Sequence, residues 1–380
     1  MKIGIVCYPT FGGSGVVATE LGLALAKKGH QIHFITYSQP TRLDFFNENL
    51  FYHEVEILTY PLFQYPPYEL ALASKMVDVV KHAGLDLLHV HYAIPHASAA
   101  YVAKQILKQE KIDVPVITTL HGTDITLVGR DPSFEPVVTF SINQSDGITA
   151  VSENLKQDTY DHFKITKDIR VIPNFVDLNR FRKLKKEHFK KAICPNDEKL
   201  IVHTSNFRKV KRIEDVVAVF IKVRELMPVK LLLVGDGPER VRIENHCREC
   251  DSCDDIRFLG KLEAVEEVLS VADLFIMPSE KESFGLAALE AMACEVPVVS
   301  SNAGGIPELN RHGFSGYLAD IGDVESMTRY ALEILDDDNL PKFKKNALAR
   351  AQDFDITAIV PQYEDFYTEV LAKRRDMVPV

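Results

Sequence analysis

Two carboxylates, Glu282 and Glu290, lie on either side of a short turn that contains a glycine, Gly285. The apolar run "LFIMPS" before them predicts a buried strand, so Glu282 falls in a loop, Gly285 near a helix start and Glu290 more than one turn into that helix. A rise of about 1.5 Å per residue puts Glu290 only about 7 Å beyond Gly285 along the axis. One ligand can therefore span both carboxylates. Backbone N–H groups at Phe284, Gly285 and Leu286 would face a phosphate, and the carboxylates would accept hydrogen bonds from sugar and ribose hydroxyls.

Cationic side chains follow another predicted strand of the same half. The segment "SNFRKVKR" places Arg208, Lys209, Lys211 and Arg212 directly after that strand, where the ligands of parallel sheets gather. Four cations at this position favour an anion such as a pyrophosphate, and a solvated loop is the alternative. Two more strand-to-helix turns, "VGDGPE" and "NAGGIPEL", carry glycines whose backbone can approach a ligand closely.

The N-terminal strand also runs into a glycine-rich turn, with Gly12, Gly13 and Gly15 at the opening of a predicted helix. Such a helix start suits an anion. The run from Gly13 to Ala18 matches the dinucleotide-binding fingerprint. That fingerprint expects an acidic residue at the end of the second strand, where this chain has "ITYSQPT". An NAD-dependent oxidoreductase is therefore disfavoured, and close packing of helix on strand stays open as the structural alternative.

Short apolar runs alternate with helix-length segments through most of the chain, which is typical of parallel sheets covered on both faces. The pattern predicts an α/β protein of two doubly wound domains, an N-terminal one at 1–168 and a C-terminal one at 169–355. A C-terminal helix at 356–380 could pack back on the N-terminal domain. The predicted strands are "KIGIVCY", "QIHFITY", "VEILTY", "DLLHVHY", "VPVITTLHG", "DGITAVS", "KLIVHTSNF", "VKLLLVGDG", "DIRFLGK", "LFIMPS" and "VPVVSSN".

Composition limits the class of partner. A formal charge of −10 over 380 residues argues against nucleic acid as the main partner. The N-terminal apolar run is too short to span a bilayer, and glycines break it. Six cysteines in so long a chain do not make a disulfide framework, and no export signal is visible, so we expect a cytoplasmic protein in a reducing compartment.

A cysteine cluster admits two interpretations. Cys247, Cys250 and Cys253 follow a C-x2-C-x2-C spacing, which resembles part of a zinc or iron–sulfur ligand set. No second C-x2-C pair completes it. The alternative is one face of a helix that begins after Pro238, where this spacing lines up buried side chains. We favour the helix.

Two other clusters also have a functional and a structural interpretation. The basic residues between 182 and 191 could dock on an anionic membrane, but few apolar residues interleave with them, which favours a solvated helix face. His89, His91 and His96 could bind a metal, but no acidic partner is near, which favours a structural role. We expect neither a metal nor stable membrane association.

Together these motifs resemble the retaining GT-B glycosyltransferases of family 4. Its E-x7-E motif matches Glu282 to Glu290 and its GG-x-P-E motif matches Gly304 to Glu308. Further similar segments, "HVHY", "HGTD", "VIPN" and "VGDGPE", extend the resemblance over nearly the whole chain. The resemblance implies two Rossmann-like domains facing across a cleft. The N-terminal run, "LHGTDITLVG" and "SNFRKVKR" are most similar to members that transfer GlcNAc from UDP-GlcNAc to the 2-hydroxyl of L-malate, with retention, in bacillithiol biosynthesis.

The same resemblance implies roles for individual residues. The catalytic group would be His121 near the reacting sugar, Lys211 at the leaving diphosphate, and Glu282, which would bind sugar hydroxyls and not act as a nucleophile. The donor site would comprise Gly13, Ser14, Asn206, Arg208, Lys211, Gly235, Gly260, Leu262, Glu282, Phe284, Gly285, Leu286 and Glu290. The acceptor site would comprise Ser14, Tyr92, Thr123 and Arg130, the last as a carboxylate clamp.

One position departs from the family pattern. Members usually have an arginine where this chain has Asn206, and Arg208 is the candidate that restores the charge. A donor phosphate oxygen would accept the acceptor's proton, so no protein nucleophile is implied. Cations and helix N-termini can stabilise the developing charge, so the resemblance implies no metal or other cofactor. A lipid or another acceptor, and a homo-oligomer, stay open.

Overall fold

The computed structural model describes residues 1–10, 13–43, 46–57, 64–249 and 253–375, and these form two units. The first unit contains Met1–Asn174 together with the segment that begins at Ile356. The second unit is Phe175–Asp355. Each unit has its own parallel sheet and its own apolar core.

Seven strands form the sheet described for the first unit: β1 (Lys2–Val6), β2 (Gln31–Thr36), β3 (Leu50–Glu54), β4 (Leu87–His91), β5 (Val116–Leu120), β6 (Gly147–Ala150) and β7 (Arg170–Val171). Their order is β3-β2-β1-β4-β5-β6-β7, and all neighbours are parallel. β4 and β5 are buried along their whole length, as expected when helices cover both faces. Since β7 pairs with β6, residues 169–174 lie in the first unit.

The helices of the first unit are α1 (Ser14–Lys27), α2 (Tyr68–Val79), α3 (Ser98–Gln109), α4 (Glu135–Gln144), α5 (Glu153–His162) and, from the end of the chain, α14 (Ile356–Arg375). Short π-helical turns occupy Val80–Gly84, Ala93–Ala97 and Thr123–Leu127. α14 is anchored by Tyr363 and Tyr367, which are both fully buried, and the Tyr367 hydroxyl lies 2.7 Å from Nδ1 of His89 in β4.

The second unit repeats the plan with six strands in its described residues: β8 (Lys199–Ser205), β9 (Val229–Gly235), β10 (Ile256–Gly260), β11 (Leu274–Met277), β12 (Val298–Ser301) and β13 (Gly316–Ala319). Their order is β10-β9-β8-β11-β12-β13, again parallel. Its helices are α6 (Glu187–Ile193), α7 (Ile213–Arg224), α8 (Arg240–Glu249), α9 (Val265–Leu269), α10 (Leu286–Ala293), α11 (Ile306–Leu309), α12 (Val324–Leu335) and α13 (Leu340–Gln352), with 3-10 turns at Lys209–Lys211 and Cys253–Asp255.

The predicted strand "VEILTY" is wrong for residues 55–57, and residues 58–60 lie outside the described part of the chain. The strand at this position is β3, which ends at Glu54. It is an edge strand whose side chains are partly or largely exposed, so it lacks the continuous apolar run that marks a central strand. The short strands β7 and β13 were also not predicted.

Each sheet has a point where the strand order reverses, between β1 and β4 in the first unit and between β8 and β11 in the second. Ligands of open α/β sheets bind outside the carboxyl ends of the strands at such a point. The loops that follow these four strands are therefore the places to look for function.

Candidate active site

The reversal point of the second sheet brings together two side chains that are 71 positions apart in the chain. Lys211 ends the 3-10 turn after β8, and its Nζ lies 2.6 Å from Oε2 of Glu282 in the loop after β11. The backbones of the two loops are also joined, because the Glu280 N–H donates to the Val210 carbonyl at 2.8 Å. The side chains of Lys211 and Glu282 are 20% and 17% exposed, so they form a partly buried ion pair that a ligand can still reach.

A neutral histidine supports this loop pair from inside the sheet. Burial, and secondarily the charge of Lys211, lowers the pKa of His203 to about 4. Its Nδ1–H donates to the Ile276 carbonyl at 2.8 Å, so Nε2 accepts from the Ser205 hydroxyl, also at 2.8 Å. His203 therefore links β8 to β11 at the reversal point. We did not predict this role, since a histidine within an apolar strand gives no distinctive signal.

The turn between the two carboxylates matches the predicted placement. Gly285 directly precedes α10 with φ +97°, which a side chain would strain. The first N–H groups of a helix have no partner within it, Gly285 has no side chain to cap them, and the first turn of α10 has no acidic residue. Phe284 is buried and its ring packs on Phe354, so only its backbone can meet a ligand. Glu290 is partly exposed, one turn into α10.

The turn "GG-x-P-E" holds the Glu282 loop in place. The Gly305 N–H donates to the Glu282 carbonyl at 3.0 Å. Helix α11 follows, and the buried Arg350 donates through Nε to the Leu309 carbonyl at 2.8 Å and also to the Glu308 carbonyl. Arg350 was not predicted because it lies in a different helix, α13, with no motif around it.

The other donor residues predicted in the second unit lie along the same edge of its sheet. Asn206 and Arg208 are exposed directly after β8, and in the described residues Arg208 forms no ion pair. Gly235 has a structural explanation, since a Cβ there would lie 1.8 Å from the Ser205 carbonyl oxygen. Gly260, with φ +68°, ends β10 two strands from the reversal point, and Leu262 is 37% exposed in the next loop.

In the first unit, the reversal point joins the loops after β1 and β4. The Ser14 Oγ lies 2.6 Å from the Tyr92 hydroxyl. Tyr92 has φ +90°, which is rare for a bulky residue and persists only where the surroundings hold it. Here the Tyr92 N–H donates to Thr119 and its carbonyl accepts from Ala97.

The glycine loop before α1 has one clear packing role. A Cβ on Gly15 would lie 2.4 Å from the Tyr8 carbonyl oxygen, so the close-packing interpretation explains that glycine. Gly13 has open space around its Cβ position but a φ of +59°. Gly12 lies outside the described residues.

A buried carboxylate that we did not predict connects the next two loops. Asp124 is 2% exposed, and it accepts hydrogen bonds from the Ala93 N–H at 2.8 Å and the Gly122 N–H at 3.1 Å. Burial raises its pKa to about 6, although the backbone donors oppose the shift. Asp124 thus ties the segment after β4 to the segment after β5, where His121 and the partly exposed Thr123 lie. The one feature of the sequence that pointed to Asp124 was its position in the segment "HGTD".

His121 lies beside two other predicted groups. Its ring centroid is 5.3 Å from that of Tyr92, and its Nε2 is 2.8 Å from Nδ1 of His91. Arg130 is not brought into this group by any contact in the described residues. It lies 3.8 Å from Asp158 and 3.5 Å from Nδ1 of His162, both in α5.

The two clusters outside the site have local explanations. Cys247 is buried in the core of the second unit on α8, Cys250 lies outside the described residues, and among those described no histidine, cysteine and carboxylate group has metal-binding geometry. In the basic run, Lys186 pairs with Glu267 and Lys190 with Asp273, so part of its charge is neutralised within the unit.

The fold and the site agree with comparisons of the whole chain. Residues 185–350 match the family Glycosyl transferases group 1, and residues 11–180 match Glycosyltransferase Family 4. The chain belongs to glycosyltransferase family 4 and has the GT-B fold, as the resemblance implied. It is 48% identical to the N-acetyl-alpha-D-glucosaminyl L-malate synthase of Bacillus anthracis, over 98% of this chain and 97% of that one.

Solved structures show the same fold at lower identity. A sucrose-phosphate synthase from Thermosynechococcus elongatus has a TM-score of 0.78 at 24% identity, with 98% of this chain and 99% of that chain covered. The Anabaena protein HepE, solved in complex with UDP and glucose, has a TM-score of 0.80 at 19% identity and coverages of 97% and 99%. None of the helices in the described residues is long and apolar enough to span a membrane.

Proposed function

We propose that this protein transfers GlcNAc from UDP-GlcNAc to the 2-hydroxyl of L-malate with retention of the α configuration, as the first step of bacillithiol biosynthesis. The observation that carries the proposal is the Lys211–Glu282 pair beside the glycine-led start of α10. The 48% identity to the Bacillus anthracis relative supports the choice of donor and acceptor.

The donor would lie across the carboxyl edge of the second sheet. Its diphosphate would accept hydrogen bonds from the first N–H groups of α10, where the helix dipole favours an anion. Glu290 would accept hydrogen bonds from the ribose hydroxyls, and the backbone at 260–262 would meet the uracil. Arg208, which forms no ion pair in the described residues, would supply the positive charge that the family's arginine provides at the position of Asn206.

Departure of UDP is the step that needs most stabilisation, because negative charge grows on the diphosphate while the sugar becomes positive. Lys211 would stabilise the leaving group, and Glu282 would hold the sugar hydroxyls. These two side chains hydrogen-bond each other, so the diphosphate and the sugar hydroxyls would compete with this ion pair for them. A donor phosphate oxygen would accept the acceptor's proton. Fixed cations and helix N–H groups can supply the required charge, so we expect no metal requirement.

The acceptor would be held by the first unit. Ser14, Tyr92 and Thr123 offer hydroxyl donors near His121, which we assign to contact with the transferred sugar. Two carboxylates of malate also need charge, and Arg130 remains the candidate clamp. Its present partner is Asp158 at 3.8 Å, an exposed and therefore weak interaction that a dianion can displace.

The decisive experiment incubates the protein with UDP-GlcNAc and, separately, L-malate, D-malate, other hydroxy acids and anionic lipid vesicles. UDP release should be fastest with L-malate, should persist in EDTA, and the product should carry an α-anomeric proton by NMR. Transfer to lipid without transfer to malate would contradict the proposed acceptor. A β product would contradict retention.

A further inference from the structure

His121 has a nearly coplanar partner, His91, that the donor and acceptor assignments do not use. The two ring planes differ by 23°, their centroids are 5.0 Å apart, and the Nδ1 of His91 lies 2.8 Å from the Nε2 of His121. These are the features of two imidazoles that share one hydrogen bond edge to edge. One nitrogen of the pair must carry the proton, and the other must accept it.

Both rings are neutral at physiological pH. Burial, followed by the charges of neighbouring histidines, lowers the pKa of each. His91 is fully buried at the end of β4, and its carbonyl accepts a hydrogen bond from Nδ1 of His96. A neutral imidazole has one N–H and one acceptor nitrogen, so the shared bond decides the tautomer of both rings.

The outer nitrogen of His91 shows which tautomer is favoured. Its Nε2 is buried and has no hydrogen-bond partner in the described structure. If His121 were the donor, His91 would carry its proton on this Nε2, and a buried N–H would be left without an acceptor. If His91 is the donor, only a lone pair is left unsatisfied. Among buried backbone groups, N–H donors without a partner are rarer than under-satisfied carbonyl acceptors, and we apply the same preference to the imidazole nitrogens.

We propose that His91 is a positioning residue for His121: it donates Nδ1–H to Nε2 of His121 and so fixes the His121 proton on Nδ1. In the described part of the chain, the Nδ1 of His121 has no hydrogen-bond partner. The partly exposed His121 is thereby a hydrogen-bond donor toward a sugar hydroxyl oxygen. This inference rests on the proposed function for the contact of His121 with the sugar, but the tautomer itself does not.

The first test measures the tautomer directly. Protein labelled with ¹⁵N-histidine is studied by long-range ¹H–¹⁵N correlation NMR near pH 7.5, and the His121→Ala variant assigns the signal. The expected result is a protonated Nδ1 and an unprotonated Nε2 for His121. A proton on Nε2 in the wild-type protein would overturn the proposal, whichever sugar the enzyme transfers.

The second test uses paired substitutions of His91. Asn places an amide N–H near the original Nδ1, whereas Leu offers no donor. His91→Leu should lower kcat by about 10- to 100-fold, the range known for losing the hydrogen-bond partner that orients a metal-ligating histidine. It should also leave UDP affinity unchanged and mix the His121 tautomers, while His91→Asn recovers much of the rate. Equal loss in Asn and Leu variants that keep the wild-type tautomer would refute the positioning role. Inactivity of the wild-type protein with UDP-GlcNAc and malate would instead contradict the proposed function alone.

Discussion

Replacing Glu282 by Gln should tighten UDP binding and slow sugar transfer. Glu282 lies 2.6 Å from Lys211, so its carboxylate competes with the diphosphate for the positive charge of the lysine. Gln removes the negative charge but keeps the shape. Lys211 then becomes available at no electrostatic cost, while the sugar hydroxyls lose a charged acceptor.

The magnitude follows from the geometry. Nζ of Lys211 and Oε2 of Glu282 are 2.6 Å apart, and at an effective dielectric constant of about 20 the Coulomb attraction between their charges is about 6 kcal/mol. Desolvation of two side chains that are 20% and 17% exposed offsets most of it. A net coupling of about 1–2 kcal/mol corresponds to about 5- to 30-fold in Kd. We therefore expect UDP to bind about 5-fold or more tightly to Glu282→Gln, with kcat lowered by at least about 10-fold.

Isothermal titration calorimetry with UDP, combined with steady-state kinetics, separates the two effects. Glu280→Gln is the matched control, because Glu280 is an exposed carboxylate in the same loop, and it should change neither quantity. Lys211→Met should weaken UDP binding, and in that background Glu282→Gln should no longer tighten it. Unchanged or weaker UDP binding to Glu282→Gln alone would refute the reasoning.

Three further substitutions test other parts of the site and fold. Glu290→Ala should weaken UDP binding by about 1–3 kcal/mol, the loss for a hydrogen bond to a charged group, and equal affinity by calorimetry would contradict a ribose contact. Arg208→Ala should raise the KM for UDP-GlcNAc more at low salt than at high salt, whereas Lys185→Ala, at another exposed cation, should not. Asp273→Asn should destabilise the fold at pH 7 by about 3–5 kcal/mol, since it leaves two lysines facing a buried site without their carboxylate. Burial would raise the pKa of Asp273, but Lys344 and Lys190 outweigh it and lower the pKa. Its stabilisation is therefore present above the unfolded value of 3.8 and is lost as pH falls through the lower folded value, so urea unfolding should show the variant approaching wild type in acid.

The central strands could be predicted because burial on both faces requires continuous apolar runs. Edge strands do not carry that signal. The side chains of β3 are partly or largely exposed, and the strand was therefore predicted at residues 55–60, directly after the segment that forms it. The two-residue strand β7 is too short to show any periodicity.

The site was predictable where a motif stays local in the chain. Gly285 and Glu290 lie on one turn and one helix, so spacing alone gave their placement. The Lys211–Glu282 contact depends on β8 and β11 being neighbours in the sheet, which local spacing does not reveal. The role of Asp124 was not predicted because its hydrogen-bond partners are backbone N–H groups, which nearly every residue type can supply, so their residue types give no signal in the sequence.

The return of α14 to the first sheet affects how the protein is made. The Tyr367 hydroxyl forms a hydrogen bond with His89, which lies 278 positions earlier in the chain, and both side chains are fully buried. During translation an apolar face of the first sheet, including His89, therefore stays uncovered until the whole second unit has left the ribosome. A nascent chain stalled before Ile356 would present that face to chaperones.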